Sequence, residues 1–253
     1  MTVLDSCTIS TLADRPEHIG RLYEVSKEDT PEFLFADLTC NALLPRVQET
    51  FPETCIVVTD DSGRLVGRGR SVPLSFGWNG RTHLPSCGAN QMLVWAFADR
   101  AAGVEPNVAC AMEISVDPAS RGTKMSYAIL GRMREAAADQ GLDALLCPVR
   151  PTAKHVDPMM AIDDYIAVSQ EDGLPVDPWL RVHVRMGGLV SGVAPASSVI
   201  AGSLDDWRGW TGLPFDRSGP VEVPGALVPV TCDVDRDVAV YIEPNVWVTH
   251  DLR

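Results

Sequence analysis

The stretch that most restricts the fold of this chain runs from residue 108 to residue 149: VACAMEISVDPASRGTKMSYAILGRMREAAADQGLDALLCPV. In its first part Val108, Cys110, Met112, Ile114 and Val116 alternate with Ala109, Ala111, Glu113 and Ser115. A period of two predicts a strand with one buried face and one face carrying Glu113 and Ser115. Met125, Ala128, Ile129, Met133, Ala136 and Ala137 then follow the three-and-four spacing of a single helical stripe, which Gly141 ends. Leu142 to Val149 is a short apolar run of the kind found in a strand covered on both faces. Strand, helix and strand in this order predict a right-handed parallel crossover.

The turn inside that unit carries chemical information. Asp117-Pro118 ends the strand, and Ser120-Arg121-Gly122-Thr123-Lys124-Met125-Ser126 leads into the helix. A helix start presents unpaired N–H groups and a partial positive charge, so Arg121 and Lys124 are locally unfavourable there, by roughly 0.3–1 kcal/mol each when exposed. An anion docked on the amides removes the mismatch, which makes the turn a candidate phosphate cradle.

Val116-Asp117-Pro118-x-x-Arg121-Gly122-x-x-x-Ser126, set between such a strand and helix, resembles the donor-binding motif of the GCN5-related N-acetyltransferases (GNAT). The family pattern is Arg/Gln-x-x-Gly-x-Gly/Ala; Arg121 matches it, while Lys124 and Ser126 replace the two later small residues. The resemblance implies an α/β (α+β) fold: a mixed sheet with a central parallel strand pair flanked by helices. It also implies an acyl-CoA donor whose pyrophosphate lies on the amides of Arg121, Gly122, Thr123, Lys124, Met125 and Ser126. The pantetheine arm would run along Ile114, Ser115 and Val116. Because Lys124 stands where a glycine lets the pyrophosphate approach, a phosphopantetheine thioester on an acyl carrier protein is the alternative donor. The implied reaction is acyl transfer to the amine of a small-molecule acceptor; a non-catalytic acyl-thioester-binding module is the contrasting reading. By the same resemblance Glu113 is the candidate general base and Tyr165 the candidate general acid. His183 is a reserve base.

Composition narrows the partners. The chain has 253 residues, 21 basic and 34 acidic side chains and a net charge of −13, which argues against nucleic acid or an anionic membrane as partner. The basic excess is confined to residues 121–154, with six basic and three acidic side chains, around the candidate cradle. Seven cysteines form no CxxC pair and five histidines lack ligand-like spacing, so reduced core thiols and no metal are expected. No apolar run reaches transmembrane length and no leader pattern opens the chain, so the expected location is cytoplasmic.

Along the rest of the chain, a strand over residues 2–11, a helix from Asp14 to about Lys27, a second helix from Thr30 to Leu44 and a hairpin through Asp60-Asp61-Ser62-Gly63 precede the central unit. A turn is expected at Gly77-Trp78-Asn79-Gly80 and a helix from Asn90 to Ala102. After it come a helix over 158–169, a strand over 179–186 with Arg181, His183 and Arg185 outward, and a partner strand over 197–201. Ser203-Leu204-Asp205-Asp206 caps a short helix, and the remainder reads as a β-rich tail that extends the sheet, covers the acceptor or forms a homodimer contact. The expected organisation is one elaborated domain over 1–253, divided into 1–107, a donor-binding core 108–154 and an extension 155–253.

Overall fold

The structure, a computed structural model, describes residues 3–25, 30–77 and 79–253. Among the described residues nine strands form one mixed sheet: β1 (Cys7–Thr11), β2 (Ile56–Asp60), β3 (Leu65–Leu74), β4 (Val108–Val116), β5 (Ala144–Val149), β6 (Leu189–Gly202), β7 (Gly219–Val221), β8 (Val230–Asp233) and β9 (Val238–Asp251). The order is β1-β2-β3-β4-β5-β9-β8-β7, with β6 on the second edge of β9. Among the described residues the one parallel pairing is β4 with β5, as the crossover predicts.

Helices cover both faces. On one lie a 3-10 helix (Pro16–Glu24), α1 (Leu38–Leu43), α2 (Val47–Thr50) and α3 (Gly88–Ala102), which share a core with Val72, Cys110 and Trp247. On the other lie α4 (Met125–Asp139), α5 (Ile162–Ala167) and α6 (Pro178–Arg185), over Ala109, Leu145 and Val248. Met125, Ile129, Leu130, Met133, Ala136 and Ala137 form the buried stripe of α4, and each large member contributes about 1.5–3 kcal/mol by leaving water. Gly67 and Gly69 of β3 let α4 lie flush: a Cβ at Gly69 would come within 2.7 Å of Met133 Sδ.

Three differences from the sequence reading have physical causes. First, the alternation of β4 changes phase. Arg70 pairs with Glu113 but Ser71 pairs with Ala111, so Met112 is an extra, bulged residue. Val108, Cys110 and Met112 therefore pack on the α3 face, whereas Ile114 and Val116 pack on the α4 face and not beside them. Secondly, residues 179–186 are the helix α6 and not a strand. The Asp177 carboxylate accepts from Trp179 N and Leu180 N, and Pro178 occupies the first turn, a start signal that outweighs the apparent alternation. The partner of residues 197–201 is accordingly β9. Thirdly, the N-terminal helices are short: 3-10 turns at Pro16–Glu24, Glu32–Ala36 and Leu44–Arg46 interrupt them, and the first strand and the 158–169 helix shrink to β1 and α5. Lys27 and Trp78, at which a helix end and a turn were expected, lie outside the described residues.

The tail extends the sheet and builds a third core. Ser203 and Asp206 form a reciprocal capping box on α7 (Leu204–Thr211), and Trp207, Phe215 and Tyr241 pack around Phe33 of the 3-10 turn Glu32–Ala36. The C-terminal extension thus holds the turn Glu32–Ala36, whose Phe35 lines the candidate cleft. No helix among the described residues is long and apolar enough to cross a membrane.

Candidate active site

The bulge at Met112 lies just beyond the last parallel pairs, Ala109 with Leu145 and Cys110 with Leu146. From there β4 and β5 part, so Ile114, Ser115 and Val116 have a strand partner only on the β3 side. The gap gives backbone N–H groups of β4 no strand acceptor on the β5 side. Such groups can polarise a carbonyl laid along the strand.

At the end of the gap the chain enters the turn. Asp117 accepts from Ala119 N at 3.0 Å and from Arg64 Nη1 at 3.1 Å, and Thr123 Oγ1 donates to Ser120 O at 2.6 Å. Gly122 has φ 75° and Lys124 has φ 66°, both left-handed. For a lysine that conformation costs on the order of 1–2 kcal/mol. It accounts for the departure from the family pattern: the backbone keeps the shape a glycine favours while the side chain adds a cation. The first i→i−4 bond of α4 runs from Ala128 N to Lys124 O, so Met125 and Ser126 offer amides at the helix mouth. Arg121, Gly122 and Lys124 are exposed there. The other cations of 121–154 disperse: Arg134 donates to Met186 O, Arg150 to Glu243, and the buried Lys154 to Asp157 O and Leu227 O.

Glu113 is not a free base. Because of the bulge it points to the α3 face, where Arg68 Nε and Nη2 donate to Oε1 at 2.8 and 2.6 Å, and Ser115 Oγ donates to Oε1 at 2.6 Å. Arg70 donates to Oε2 through Nε at 3.0 Å and also through Nη2. Side-chain exposure is 3% for Arg68, 8% for Arg70 and 11% for Glu113, so this is a nearly dry ion cluster. Both carboxylate oxygens are thus engaged by guanidiniums rather than turned toward a substrate. The arginines form the floor of a cleft of about 410 Å³. Ile19, Leu22 and Val25 line its side, and Tyr23 and Phe35 stand at the mouth, 80% and 46% exposed.

The other two candidates lie elsewhere. Tyr165 is buried and donates to Asp177 Oδ2 at 3.0 Å, in contact with the cap of α6. Burial, and then the Asp177 charge beside it, push its phenol up, away from the range of a useful acid. His183, expected on a polar strand face, is inside the α4-side core because its segment is helical. Its Nδ1 lies 3.0 Å from His250 Nε2, and burial, then His250, pull it down to about 3. Burial, then Arg134, lower His250 to about 4. The structure therefore does not bring Tyr165 or His183 to Glu113.

Two groupings escaped the sequence reading. Cys147, His183 and His250 place a ligand atom each within 4.8 Å of one another, although the spacing of the histidines in the chain is unremarkable. Arg134 beside them disfavours a cation. The second is the pair Arg68 and Arg70, whose i,i+2 spacing on a predicted strand puts both on one face and was the available signal.

No protein-family model matches the chain. It is 33% identical, over 209 residues, to the arginine N-acetyltransferase avaD of Aspergillus versicolor, covering 75% of this chain and 71% of that protein. The loading GNATL domain of CurA from Lyngbya majuscula superposes with a TM-score of 0.61 at 16% identity, over 97% of this chain and 98% of that one. The GphF GNAT-like decarboxylase in complex with isobutyryl-CoA gives 0.57 at 20% identity, over 97% and 100%. Parted parallel strands, a helix mouth at their end and this shared sequence agree: the chain belongs to the GCN5-related N-acetyltransferase family and is an N-acyltransferase.

Proposed function

We propose that the donor is an acyl-CoA whose pyrophosphate rests on the amides of Gly122 to Ser126, with Arg121 and Lys124 beside it. The observation that carries this is the left-handed lysine at the mouth of α4, where β4 and β5 have parted. That the GphF structure holds isobutyryl-CoA supports a thioester in such a fold. The thioester arm follows Ile114, Ser115 and Val116, and a β4 amide polarises its carbonyl. The acceptor amine enters the cleft over Arg68 and Arg70. Its nitrogen attacks the carbonyl, the C–N bond forms, the C–S bond breaks, and the amine proton goes to the departing thiolate. A minor fraction of an amino acid's α-amine is neutral at physiological pH, and in this reading orientation and carbonyl polarisation act on that fraction without a dedicated base. In this reading Glu113 is a positioning residue that fixes the two arginines.

The relative's activity, arginine N-acetylation, supports an amino-acid-like acceptor. Incubation with acetyl-CoA and amino acids, followed by free-thiol release, tests the reaction. Release that rises with the amine supports it, and an amine-independent rate argues against it. An acyl carrier protein as donor is favoured by the exposed Arg121 and Lys124, and competition between acyl-CoA and an acylated carrier decides between the two. We read residues 1–253 as one unit because β9 joins β5 to β8, and we keep a homodimer through the exposed Leu189, Val190 and Val199 of β6 for a solution-mass measurement.

A further inference from the structure

We infer that the cleft floor binds the carboxylate of the amine substrate, through Arg68 and Arg70 together. The inference rests on the assignment of the cleft to the acceptor and goes further by naming the group it recognises.

The charge balance comes first. Two guanidiniums meet one carboxylate, and Glu113 is the one acid in ion-pair contact with either arginine among the described residues. Among the described residues the floor therefore carries one positive charge in excess. Because these side chains are 3% and 8% exposed, water compensates little of it. An unbalanced buried cation is costly, and an anion entering the cleft relieves it.

The hydrogen-bond inventory points the same way. A guanidinium has five N–H groups. Arg68 places four: Nε and Nη2 on Glu113, and Nη1 on Leu22 O and Val25 O. Arg70 also places four: Nε and Nη2 on Glu113, and Nη1 on Leu44 O and Gln48 Oε1. One Nη2 N–H remains on each, without an acceptor among the described residues. Two N–H groups on adjacent arginines that line one cleft match the two oxygens of a carboxylate. Their donation to backbone carbonyls of the 3-10 segment, and to Leu44 and Gln48 across the cleft, holds them in place. Tyr23 and Phe35 at the mouth leave flat walls for the rest of the molecule.

The test uses the full chain with saturating acetyl-CoA. Arginine, lysine and phenylalanine are each compared with their α-carboxamides by thiol release, and by thermal shift of the CoA-bound protein, which reads the cleft even if no amine is turned over. At least one acid is expected to exceed its amide tenfold or more in kcat/KM, chiefly through KM, and to give the larger thermal shift. Arg70→Gln removes the excess charge and should bring the acid-to-amide ratio to near one, whereas Arg70→Lys, which keeps the charge, should retain part of it and shows that the fold tolerates change there. Equal turnover and equal thermal shift for every acid and its amide would overturn the inference. So would an Arg70→Gln effect confined to malonyl-CoA relative to acetyl-CoA, because the anion would then belong to the acyl group. Absence of thiol release with any amine, alongside an acid-selective thermal shift, would instead count against the acyltransfer reading and leave carboxylate recognition standing.

Discussion

On the α3 face of the sheet, Arg68, Arg70 and Glu113 meet as three ions, and the two arginines line a cleft. On the α4 face His183, His250 and Tyr165 are buried with depressed imidazoles and a raised phenol, and all three stay neutral at physiological pH. Chemistry by residue type alone favours the second group, which holds the usual acids and bases. Placement favours the first, because its arginines line a cleft and pair across the sheet with Ser115 and Glu113 of β4. The proposed function therefore rests on charge and access rather than on titration near neutrality.

The largest effect that would break this comparison is on stability. Glu113→Leu leaves two buried cations facing each other and is expected to cost about 3–5 kcal/mol in urea unfolding. A loss below about 1 kcal/mol would mean that the cluster is solvated and the contrast between the faces is false.

Acid titration sharpens the other side. His183 and His250 bind protons more readily unfolded, at about 6.5, than folded, at about 3 and about 4. Stability is therefore full above pH 6.5 and falls as the pH drops toward 4, by up to about 1.4 kcal/mol per pH unit for each histidine. His250→Gln should flatten that limb, and an unaltered slope would place the acid sensitivity elsewhere. The same neutrality predicts that kcat/KM between pH 5 and 8 follows the ionisation of the amine and shows no imidazole inflection.

A smaller effect is expected at the helix mouth. Lys124→Gly relieves the left-handed strain and should raise stability by about 1 kcal/mol, while CoA affinity falls several-fold. Higher stability with unchanged affinity would reduce Lys124 to an accident of the turn. Smallest of all, Tyr165→Phe removes one donor from Asp177 and should cost about 1 kcal/mol with kcat within a factor of two. A drop of a hundredfold would restore Tyr165 as an acid.

Much of this was legible in the chain. The period of two in 108–116, the helical stripe to Ala137 and the glycine stop at 141 mark β4, α4 and the parallel pairing with β5, because each element satisfies its own local pattern. The turn drew notice for a related reason: cations at a helix start contradict local electrostatics, and the proposed phosphate site starts from that conflict. The site floor was not. One bulged residue, Met112, reverses which side chains share a face, and no local pattern specifies a bulge that is set by pairing with β3. His183 was misplaced because Leu180, Val182, Val184 and Met186 satisfy an alternating pattern, while the decisive cap, Asp177-Pro178, precedes the segment. The role of the tail, whose Trp207 and Tyr241 hold Phe33, depends on contacts between residues far apart in sequence.

The most direct test is calorimetric titration of CoA into the wild-type chain and into the Arg121→Ala/Lys124→Glu variant, with 3′-dephospho-CoA and pantetheine as controls. The mouth of α4 as the phosphate site predicts at least a tenfold weaker affinity of the variant for CoA and for 3′-dephospho-CoA, with pantetheine binding the two proteins equally. Equal CoA affinity in wild type and variant would contradict it.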